Sequence, residues 1–375
     1  MPQTAFDYTL SDAQSTQVVA VDPAKFDFSA YADYENILTE KCRNFLNAGS
    51  GVLVYRRMRV AEVFSYGCSD MKRSLALQLG ALQKSMDYKA DVPNFLEPWY
   101  GIGTVASAYG LDYTWNPGQA PALHYKYEQS ADTLQPAVPV HETAIGKKTL
   151  EMIRYFLDQT KGRLPMSFCD VQSPLNIAAN VVNSANFMMD MYMDAESVRK
   201  ILDSIATLLI GFSEKQKTMI GDNLVFPGHG FASSRIFEGM GMSDDNIVML
   251  PGDIYEDLVI PSFEKAGNAF NGPVLHSCGN WSGKIGSVKK IKGLKMIDAA
   301  FGPYTDPDPN PAESFRDGFA NTGIIVNARI VGGVDVIEEQ VRKLWTPGMK
   351  LIVVTYCQTP EEQSKAYEII TDICR

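Results

Sequence analysis

The sequence predicts an α/β fold on three observations: short apolar stretches of strand length, amphipathic helical stretches between them, and a length of 375 residues. Continuous apolar strands that alternate with helices are typical of a parallel sheet covered by helices. Eight candidate strands favour a (β/α)8 TIM barrel, and an open doubly wound sheet is the alternative. The candidate strands are GVLVY (51–55), RLPMSFCD (163–170), NLVFPG (223–228), NIVMLPG (246–252), PVLHSC (273–278), LKMIDAAF (294–301), GIIVNARI (323–330) and KLIVVTYC (350–357).

Helix signals separate these stretches. After Asp194, a predicted N-cap, apolar residues recur at helical spacing from Val198 to Phe212. The last helix is predicted to begin at Thr359 as N-cap, with Pro360 in the first helical position and Glu362 completing a capping box.

The predicted domain organisation is an N-terminal arm over residues 1–33 and a single barrel domain over residues 34–375. Residues 89–140 are rich in Pro, Gly and aromatic side chains and show little sustained periodicity. Such a long irregular stretch in a compact protein is usually functional. We therefore expect an aromatic-rich insertion that covers part of the barrel.

Composition excludes several classes of protein. The formal net charge of −10 argues against a nucleic-acid partner. No stretch reaches 18 apolar residues, so no membrane span is expected. The start of the sequence lacks the pattern of an export signal, and the six cysteines lack disulfide-scaffold spacing, so we expect reduced thiols in the cytoplasm. The sequence leaves a homo-oligomer open.

Polar residues follow the predicted strands at the end where barrel enzymes carry their chemistry. His276 and Cys278 lie two apart, so their side chains point to the same side of an extended strand end. Cys357 ends the last predicted strand, and barrel closure would bring it back across the mouth. One imidazole and two thiolates suit a catalytic Zn²⁺ with an open fourth position. The alternative interpretation is a hydrogen-bonded histidine beside buried thiols.

Other polar residues at strand ends and loops are the remaining candidates. Asp170, Asp253 and His229 are predicted to serve catalysis; among the acids, Asp170, Asp253 or Glu97 would supply a fourth metal ligand or a proton. Predicted substrate-binding residues come from the aromatic-rich segment and from two strand ends, because aromatic walls suit a flat substrate. They are Tyr100, Trp115, Tyr356 and Asn327.

GPVLHSCGN (272–280), LPGDIYEDLVIPSFEKAGNAF (250–270) and VVTYC (353–357) resemble the uroporphyrinogen decarboxylase superfamily, and within it the cobalamin-dependent methyltransferase branch. The resemblance covers roughly residues 140–375. It implies a barrel fold and a zinc site formed by His276, Cys278 and Cys357. The family's arginine-rich N-terminal signature is not reproduced by VYRRMRVAEVF (54–64), which argues against porphyrin decarboxylation.

The resemblance implies methyl transfer between a small methylated molecule and the corrinoid (cobalamin) of a separate partner protein. We expect a methoxylated aromatic donor, hence O-demethylation, because residues 89–140 are aromatic-rich and contain no Arg to hold a sulfonate. The alternative is methyl transfer from a methylcorrinoid to a thiol of the coenzyme M type; a uroporphyrinogen decarboxylase or a non-enzymatic corrinoid- or zinc-binding module is less favoured.

Overall fold

The computed structural model describes residues 6–10, 12–133, 135–136 and 138–375. Its central feature is a six-stranded parallel sheet with the strand order β1-β6-β5-β4-β3-β2. The strands are β1 (Gly51–Arg56), β2 (Met240–Ser243), β3 (Pro273–His276), β4 (Met296–Phe301), β5 (Ile325–Ile330) and β6 (Lys350–Thr355). The first strand in the chain pairs with the last, as closure of a barrel requires.

Three short segments connect the two outer strands, β1 and β2, on the other side of the barrel. The Asp91 amide donates to the Val54 carbonyl at 2.8 Å, which joins the first segment to β1. Parallel bridges then run from Leu96 to Met166 and from Met166 to Leu224. The Gly241 amide donates to the Pro227 carbonyl at 2.9 Å and so reaches β2. The predicted TIM barrel is therefore confirmed, with one irregular side.

One predicted strand is wrong and one real strand was missed. NIVMLPG (246–252) does not form a strand; a 3-10 helix spans Asp245–Met249 instead. The strand lies just before it, at Met240–Ser243, where a glycine and two methionines give little of the β-branched signal that marks a strand. RLPMSFCD and NLVFPG contribute the single parallel bridges at Met166 and Leu224 instead of full strands.

Helices cover the outside of the barrel as predicted. Asp194 caps the helix Ala195–Ile220 by accepting a hydrogen bond from the Ser197 amide, and Thr359 caps the helix Pro360–Ile373 by accepting one from the Glu362 amide. The helices are α1 (Phe28–Asn47), α2 (Met71–Ser85), α3 (Ala144–Thr160), α4 (Pro174–Val181), α5 (Ser184–Met193), α6 (Ala195–Ile220), α7 (Gly252–Ile254), α8 (Ile260–Asn268), α9 (Ile285–Val288), α10 (Ala312–Phe319), α11 (Val334–Leu344) and α12 (Pro360–Ile373).

Side chains that alternate in direction along the strands divide the hydrophobic core into two parts. Ile352 and Val354 of β6 pack in the cluster inside the barrel, whereas Leu351 and Val353 pack in the cluster between the strands and the helices. Successive side chains of a strand point to opposite faces of the sheet. The same alternation decides which residues beyond each strand face the mouth of the barrel.

The N-terminal segment lies against the last strand and helix. The Tyr8 hydroxyl donates to Glu362 Oε1 at 2.7 Å, and the Thr16 amide donates to the Arg59 carbonyl at 2.7 Å. Helix α1 begins at Phe28, inside the range predicted as an arm, and the boundary at residues 33 and 34 stays a prediction. Across the described residues, no helix has the length and apolar character needed to cross a membrane.

Candidate functional site

His276 and its hydrogen-bond partner form the first part of the site. His276 is the last residue of β3, and the parallel register sets it beside Asp298 of β4, which in turn lies beside Asn327 of β5. His276 Nδ1 lies 2.6 Å from Asp298 Oδ2, so the other ring nitrogen, Nε2, is directed at the barrel mouth. Cys278 follows two residues later, and its Sγ lies 3.5 Å from His276 Nε2.

Asp245 completes this group from the neighbouring loop. It lies two residues after the end of β2, and its Oδ1 lies 3.7 Å from His276 Nε2. The Cys278 amide donates to the same oxygen at 2.8 Å. In the described part of the chain, Asp245, His276 and Cys278 form the one group of three His, Cys or acidic residues whose ligand atoms all lie within 4.8 Å of one another.

A buried charged network supports the histidine. Asp298 Oδ2 accepts from Arg329 Nε at 2.8 Å, and Asn327 Nδ2 donates to Asp298 Oδ1. Burial alone would raise the pKa of Asp298, but Arg329 and His276 hold it below its ordinary value. Burial would lower the pKa of His276, but the Asp298 carboxylate outweighs that effect and raises it to about 10. The network therefore keeps a carboxylate behind the imidazole, as in carboxylate–histidine–metal triads.

The structure does not bring Cys357 into this group. Cys357 is fully buried and packs in the cluster between strands and helices, whereas its neighbour Tyr356 packs inside the barrel. Burial raises the pKa of the Cys357 thiol to about 12, and the nearby Glu362 carboxylate adds to this. The sequence-based assignment of Cys357 as a metal ligand stays a prediction.

A second polar cluster lies on the irregular side of the barrel. His229 Nδ1 lies 2.6 Å from Glu97 Oε2, and His229 Nε2 lies 3.4 Å from Asp170 Oδ2. Asp170 accepts hydrogen bonds from Trp99 Nε1 at 2.9 Å and from Gln172 Nε2 at 2.7 Å. The imidazole is thus held between two carboxylates.

Charge explains why this second cluster is stable although it is mostly buried. Burial would raise the pKa of Glu97, but His229 and then Arg57 hold it below its ordinary value. Arg57 Nη2 lies 3.9 Å from Glu97 Oε1. A carboxylate, an imidazole and a guanidinium therefore share one low-dielectric environment, which is typical of functional sites.

One cavity connects the two clusters. Its volume is about 250 Å³, and it extends from Asp170 and His229 to His276. Its wall is partly aromatic and partly cationic: the lining residues are Arg57, Arg59, Phe64, Trp99, Asp170, His229, Gly230, Ser243 and His276. His229 and His276, a metal-ligand candidate, therefore face the same cavity.

A larger cavity of about 860 Å³ lies elsewhere, between the N-terminal segment and the first turns of α11 and α12. Several carboxylates line it, including Asp335 and Glu361, and it contains none of the residues of the two clusters. A small-molecule site normally needs a few convergent polar groups with perturbed pKa values. The 250 Å³ cavity meets that description better, although it is smaller.

The predicted substrate-binding residues have different environments. Tyr356 lies inside the barrel, and its hydroxyl is buried without a hydrogen-bond partner in the described structure. Both amide atoms of Asn327 are occupied, by Asp298 and by the Ala232 amide, so it supports the site from behind. Tyr100 and Trp115 pack on each other, with ring centroids 5.8 Å apart, and neither lines the 250 Å³ cavity.

One predicted acid lies away from the cavity, and several charged residues of the site were not predicted. Asp253, one of the predicted acids, is exposed in α7 and does not line the cavity. Asp298 was missed, although a lone charge inside the apolar stretch MIDAAF is a usable signal. Asp245 was missed because β2, the strand that ends two residues before it, was missed. Arg57 and Arg59 belong to the stretch VYRRMRVAEVF, which the sequence comparison used only to argue against porphyrin decarboxylation.

The fold and these clusters define an α/β barrel with a candidate metal site at the carboxyl ends of its strands. The family model described as "Uroporphyrinogen decarboxylase (URO-D)" matches residues 46–225, and with the fold it confirms the resemblance to this superfamily. The match covers the first half of the barrel; the motifs around His276 and Cys357, which suggested the resemblance, lie outside it.

A solved structure extends the likeness over nearly the whole chain. A "methyltransferase from Methanosarcina mazei" is similar with a TM-score of 0.63 and 14% sequence identity, covering 90% of this chain and 98% of that one. At this identity the likeness establishes the barrel fold alone. Among curated proteins, none matches this sequence.

Proposed function

We propose that this chain is a zinc-dependent methyltransferase that moves a methyl group from a methoxylated aromatic donor to the cobalt(I) corrinoid of a separate partner protein. Support for a methyltransferase comes from the superfamily match and from the structural likeness to a protein that carries that name. The observation that carries the proposal is the 250 Å³ cavity, in which aromatic side chains, an acid–imidazole cluster and a metal-ligand candidate meet.

The residues present fit a zinc ion. His276 Nε2 and Cys278 Sγ are donors that Zn²⁺ prefers, and Asp298 already orients the imidazole for it. His276 and Cys278 would hold the metal together with a third protein donor. A zinc ion there would supply Lewis acidity toward the ether oxygen of the donor.

The cavity wall suits a flat aromatic ring. Phe64 and Trp99 line it, with ring centroids 5.9 Å apart in an edge-to-face arrangement. Aromatic walls bind a flat ring through buried apolar area and favourable ring geometry. A volume of about 250 Å³ holds a single substituted ring and lies below the usual range of pockets, about 300–1,000 Å³. This size argues against a tetrapyrrole, and so against uroporphyrinogen decarboxylation.

His229, between the carboxylates of Glu97 and Asp170, would act as the general acid. When the methyl–oxygen bond breaks, the electron pair stays on oxygen and leaves a phenolate, which a general acid can protonate. His229 lies in the cavity wall, with Glu97 2.6 Å from Nδ1 and Asp170 3.4 Å from Nε2. In our proposal His229 gives its proton to the phenolate oxygen and Glu97 holds the imidazole in place.

Arg57 and Arg59 bear on the alternative function, methyl transfer to a thiol of the coenzyme M type. Both line the cavity, so an anionic end of the substrate would find two guanidinium groups there. An aromatic carboxylate with a methoxy group fits both the arginines and the aromatic wall. The sulfonate of a coenzyme M-type thiol fits the arginines alone, and a thiol acceptor needs no acid for a leaving phenolate. We therefore favour the methoxylated aromatic carboxylate.

A methyl-transfer assay tests the proposal. The zinc-loaded chain is mixed with free cob(I)alamin, and the visible spectrum is followed while methoxybenzoates, neutral methoxybenzenes, methanol and methylamines are offered in turn. The reverse arm offers methylcobalamin with thiols, including coenzyme M. His276→Ala serves as the inactive control, and Cys374→Ser serves as a matched variant at a buried cysteine outside the two clusters.

We expect methylcobalamin to form with methoxybenzoates and not with methanol or methylamines. Methyl loss from methylcobalamin only in the presence of a thiol would establish the thiol methyltransferase instead. Absence of transfer in both directions with a zinc-loaded, folded chain would reject the proposed function.

A further inference from the structure

We propose that Asp245, and not Cys357, supplies the third protein ligand of the metal site. The site then consists of one imidazole, one thiolate and one carboxylate, from His276, Cys278 and Asp245. This inference deepens the proposed function, since it concerns the same metal, but it does not depend on methyl transfer.

The distances between the three donor atoms match those of a zinc site. In a tetrahedral zinc site with bonds of about 2.0–2.3 Å, neighbouring ligand atoms lie roughly 3.3–3.8 Å apart. His276 Nε2 lies 3.5 Å from Cys278 Sγ and 3.7 Å from Asp245 Oδ1. All three donor atoms lie within 4.8 Å of one another. The three side chains are therefore already spaced as ligands of one ion.

Backbone and side-chain hydrogen bonds hold the Asp245 loop against β3. The Asp244 amide donates to the His276 carbonyl at 2.8 Å, and Ser173 and Tyr255 both donate to the Asp244 carboxylate. Asn176 Nδ2 donates to Asp245 Oδ2 at 3.3 Å. These contacts leave Asp245 Oδ1 near the imidazole. Such support from neighbouring side chains is what a preorganised metal ligand needs.

Cys357 is held on the wrong face of the sheet. Its side chain packs with Leu351 and Val353 on the helix side, whereas Tyr356 continues the inward face of β6. Arg56 Nε donates to the Cys357 carbonyl at 2.6 Å, and that buried guanidinium also donates to Thr16 of the N-terminal segment. To reach the metal, Cys357 would need to exchange faces, and this exchange would break both the strand alternation and the Arg56 contact.

The sulfur count of the bound metal is the decisive measurement. The chain is stripped with chelator, reloaded with one equivalent of Zn²⁺, and measured by X-ray absorption at the zinc edge. We expect one sulfur ligand, together with nitrogen and oxygen, where a site of His276, Cys278 and Cys357 would give two.

Zinc affinity in variants supplies the second readout, and activity is not needed for it. Asp245→Ala should weaken zinc binding about tenfold or more, because a ligand is lost. Cys357→Ser should bind zinc as the unchanged chain does. Cys278→Ser is the positive control for a lost thiolate, and Asp317→Asn, an exposed carboxylate paired with Arg316, is the control for loss of a charge. Circular dichroism of each variant reports whether the fold is kept.

Each outcome decides the assignment. Two sulfur ligands in the unchanged chain, or loss of zinc in a folded Cys357→Ser variant, would overturn it. Unchanged zinc affinity in Asp245→Ala would overturn it as well. A one-sulfur site in a chain that transfers no methyl group would leave this inference standing and reject the proposed function.

Discussion

His276 Nδ1 lies 2.6 Å from Asp298 Oδ2, and this contact sets the orientation of the whole candidate metal site. The carboxylate is fully buried and ion-paired with Arg329 at 2.8 Å, so it remains charged. A histidine that donates one ring N–H to a carboxylate presents its other nitrogen to a metal with a fixed tautomer and direction. The parallel register of β3 and β4 brings the two residues together.

The first prediction concerns this pair. Asp298→Asn should weaken zinc binding by about 10–100-fold, because the imidazole loses its charged partner while keeping a hydrogen-bond acceptor. Isothermal titration with Zn²⁺ measures the effect. Asp317→Asn, at an exposed ion pair, should leave zinc affinity unchanged. Equal affinities in Asp298→Asn and the unchanged chain would mean that Asp298 does not act through His276.

The second prediction separates proton transfer from metal binding. His229→Gln should lower kcat for a methoxybenzoate by about 10²–10⁴-fold, the usual contribution of a general acid. Zinc content should not change, because His229 does not belong to the three-residue metal group. The pH profile of kcat should also lose the limb that requires a protonated acid. Normal kcat in a zinc-loaded His229→Gln variant would contradict the role.

The sequence predicts the architecture of this barrel better than its chemistry. The alternation of apolar strands and helices is a local signal, and it identified β1 and β3–β6. His276 was found because it ends an apolar strand. Asp245 was not, because β2 is short and rich in glycine and methionine. Which donors meet across the mouth depends on the register and face of each strand end: Tyr356 packs inside the barrel, whereas Cys357, the next residue, packs on the helix side.

The same limit applies to the substrate cavity. The aromatic surplus of residues 89–140 was visible in the sequence, but only packing decides which rings are cavity walls. Trp99 lines the cavity, while its neighbour Tyr100 packs against Trp115. Arg57 and Arg59 lie far from this segment in sequence and reach the cavity because β1 lies beside it. Long-range contacts of this kind leave no periodic signal.

The third prediction follows from that division of the aromatic residues. Trp99→Ala should raise KM for a methoxybenzoate about tenfold, since it removes a buried aromatic wall, whereas Tyr100→Ala should change KM little. Trp99→Phe keeps an aromatic ring but loses the hydrogen bond from Nε1 to Asp170 and part of the ring area, so its comparison with Trp99→Ala shows how much an aromatic wall alone contributes. Steady-state kinetics with zinc-loaded variants measures these values. A larger rise in KM in Tyr100→Ala than in Trp99→Ala would show that Tyr100, the residue predicted from the sequence, contacts the substrate instead.

The fourth prediction is a pH dependence of stability at Glu97. His229 and Arg57 lower its pKa in the folded protein below the ordinary value of 4.5, although burial opposes them. A lowered pKa stabilises the fold above the unfolded-state value, and this stabilisation is lost as pH falls through the folded-state value. The gap in unfolding free energy between the unchanged chain and Glu97→Gln should therefore hold from pH 7 to about pH 5 and then shrink as pH falls through 4.5 and below. Urea unfolding measures it.

A matched surface variant controls for general acid sensitivity. Glu368 pairs with Lys89 at 3.3 Å, and its side chain is 64% exposed, so Glu368→Gln should change the unfolding free energy little at any pH. A gap for Glu97→Gln that stays constant as pH falls well below 4.5, over the range in which both chains remain folded, would show that the charge of Glu97 does not stabilise the fold.

The last prediction tests what the two cavity arginines recognise. Arg59 lines the cavity, where its guanidinium lies 5.7 Å from the centroid of the Phe64 ring, and it also forms a partly exposed ion pair with Asp12 at 3.3 Å. Arg59→Gln removes the charge and keeps a polar side chain of moderate length. If Arg59 holds the carboxylate of the donor, KM for a methoxybenzoate should rise about tenfold or more, since a charge-assisted contact is lost. KM for a neutral methoxybenzene should stay the same. Asp12→Asn removes the surface ion pair while leaving the arginine, and should affect neither donor. An equal rise with both donors would mean that Arg59 shapes the cavity without recognising charge.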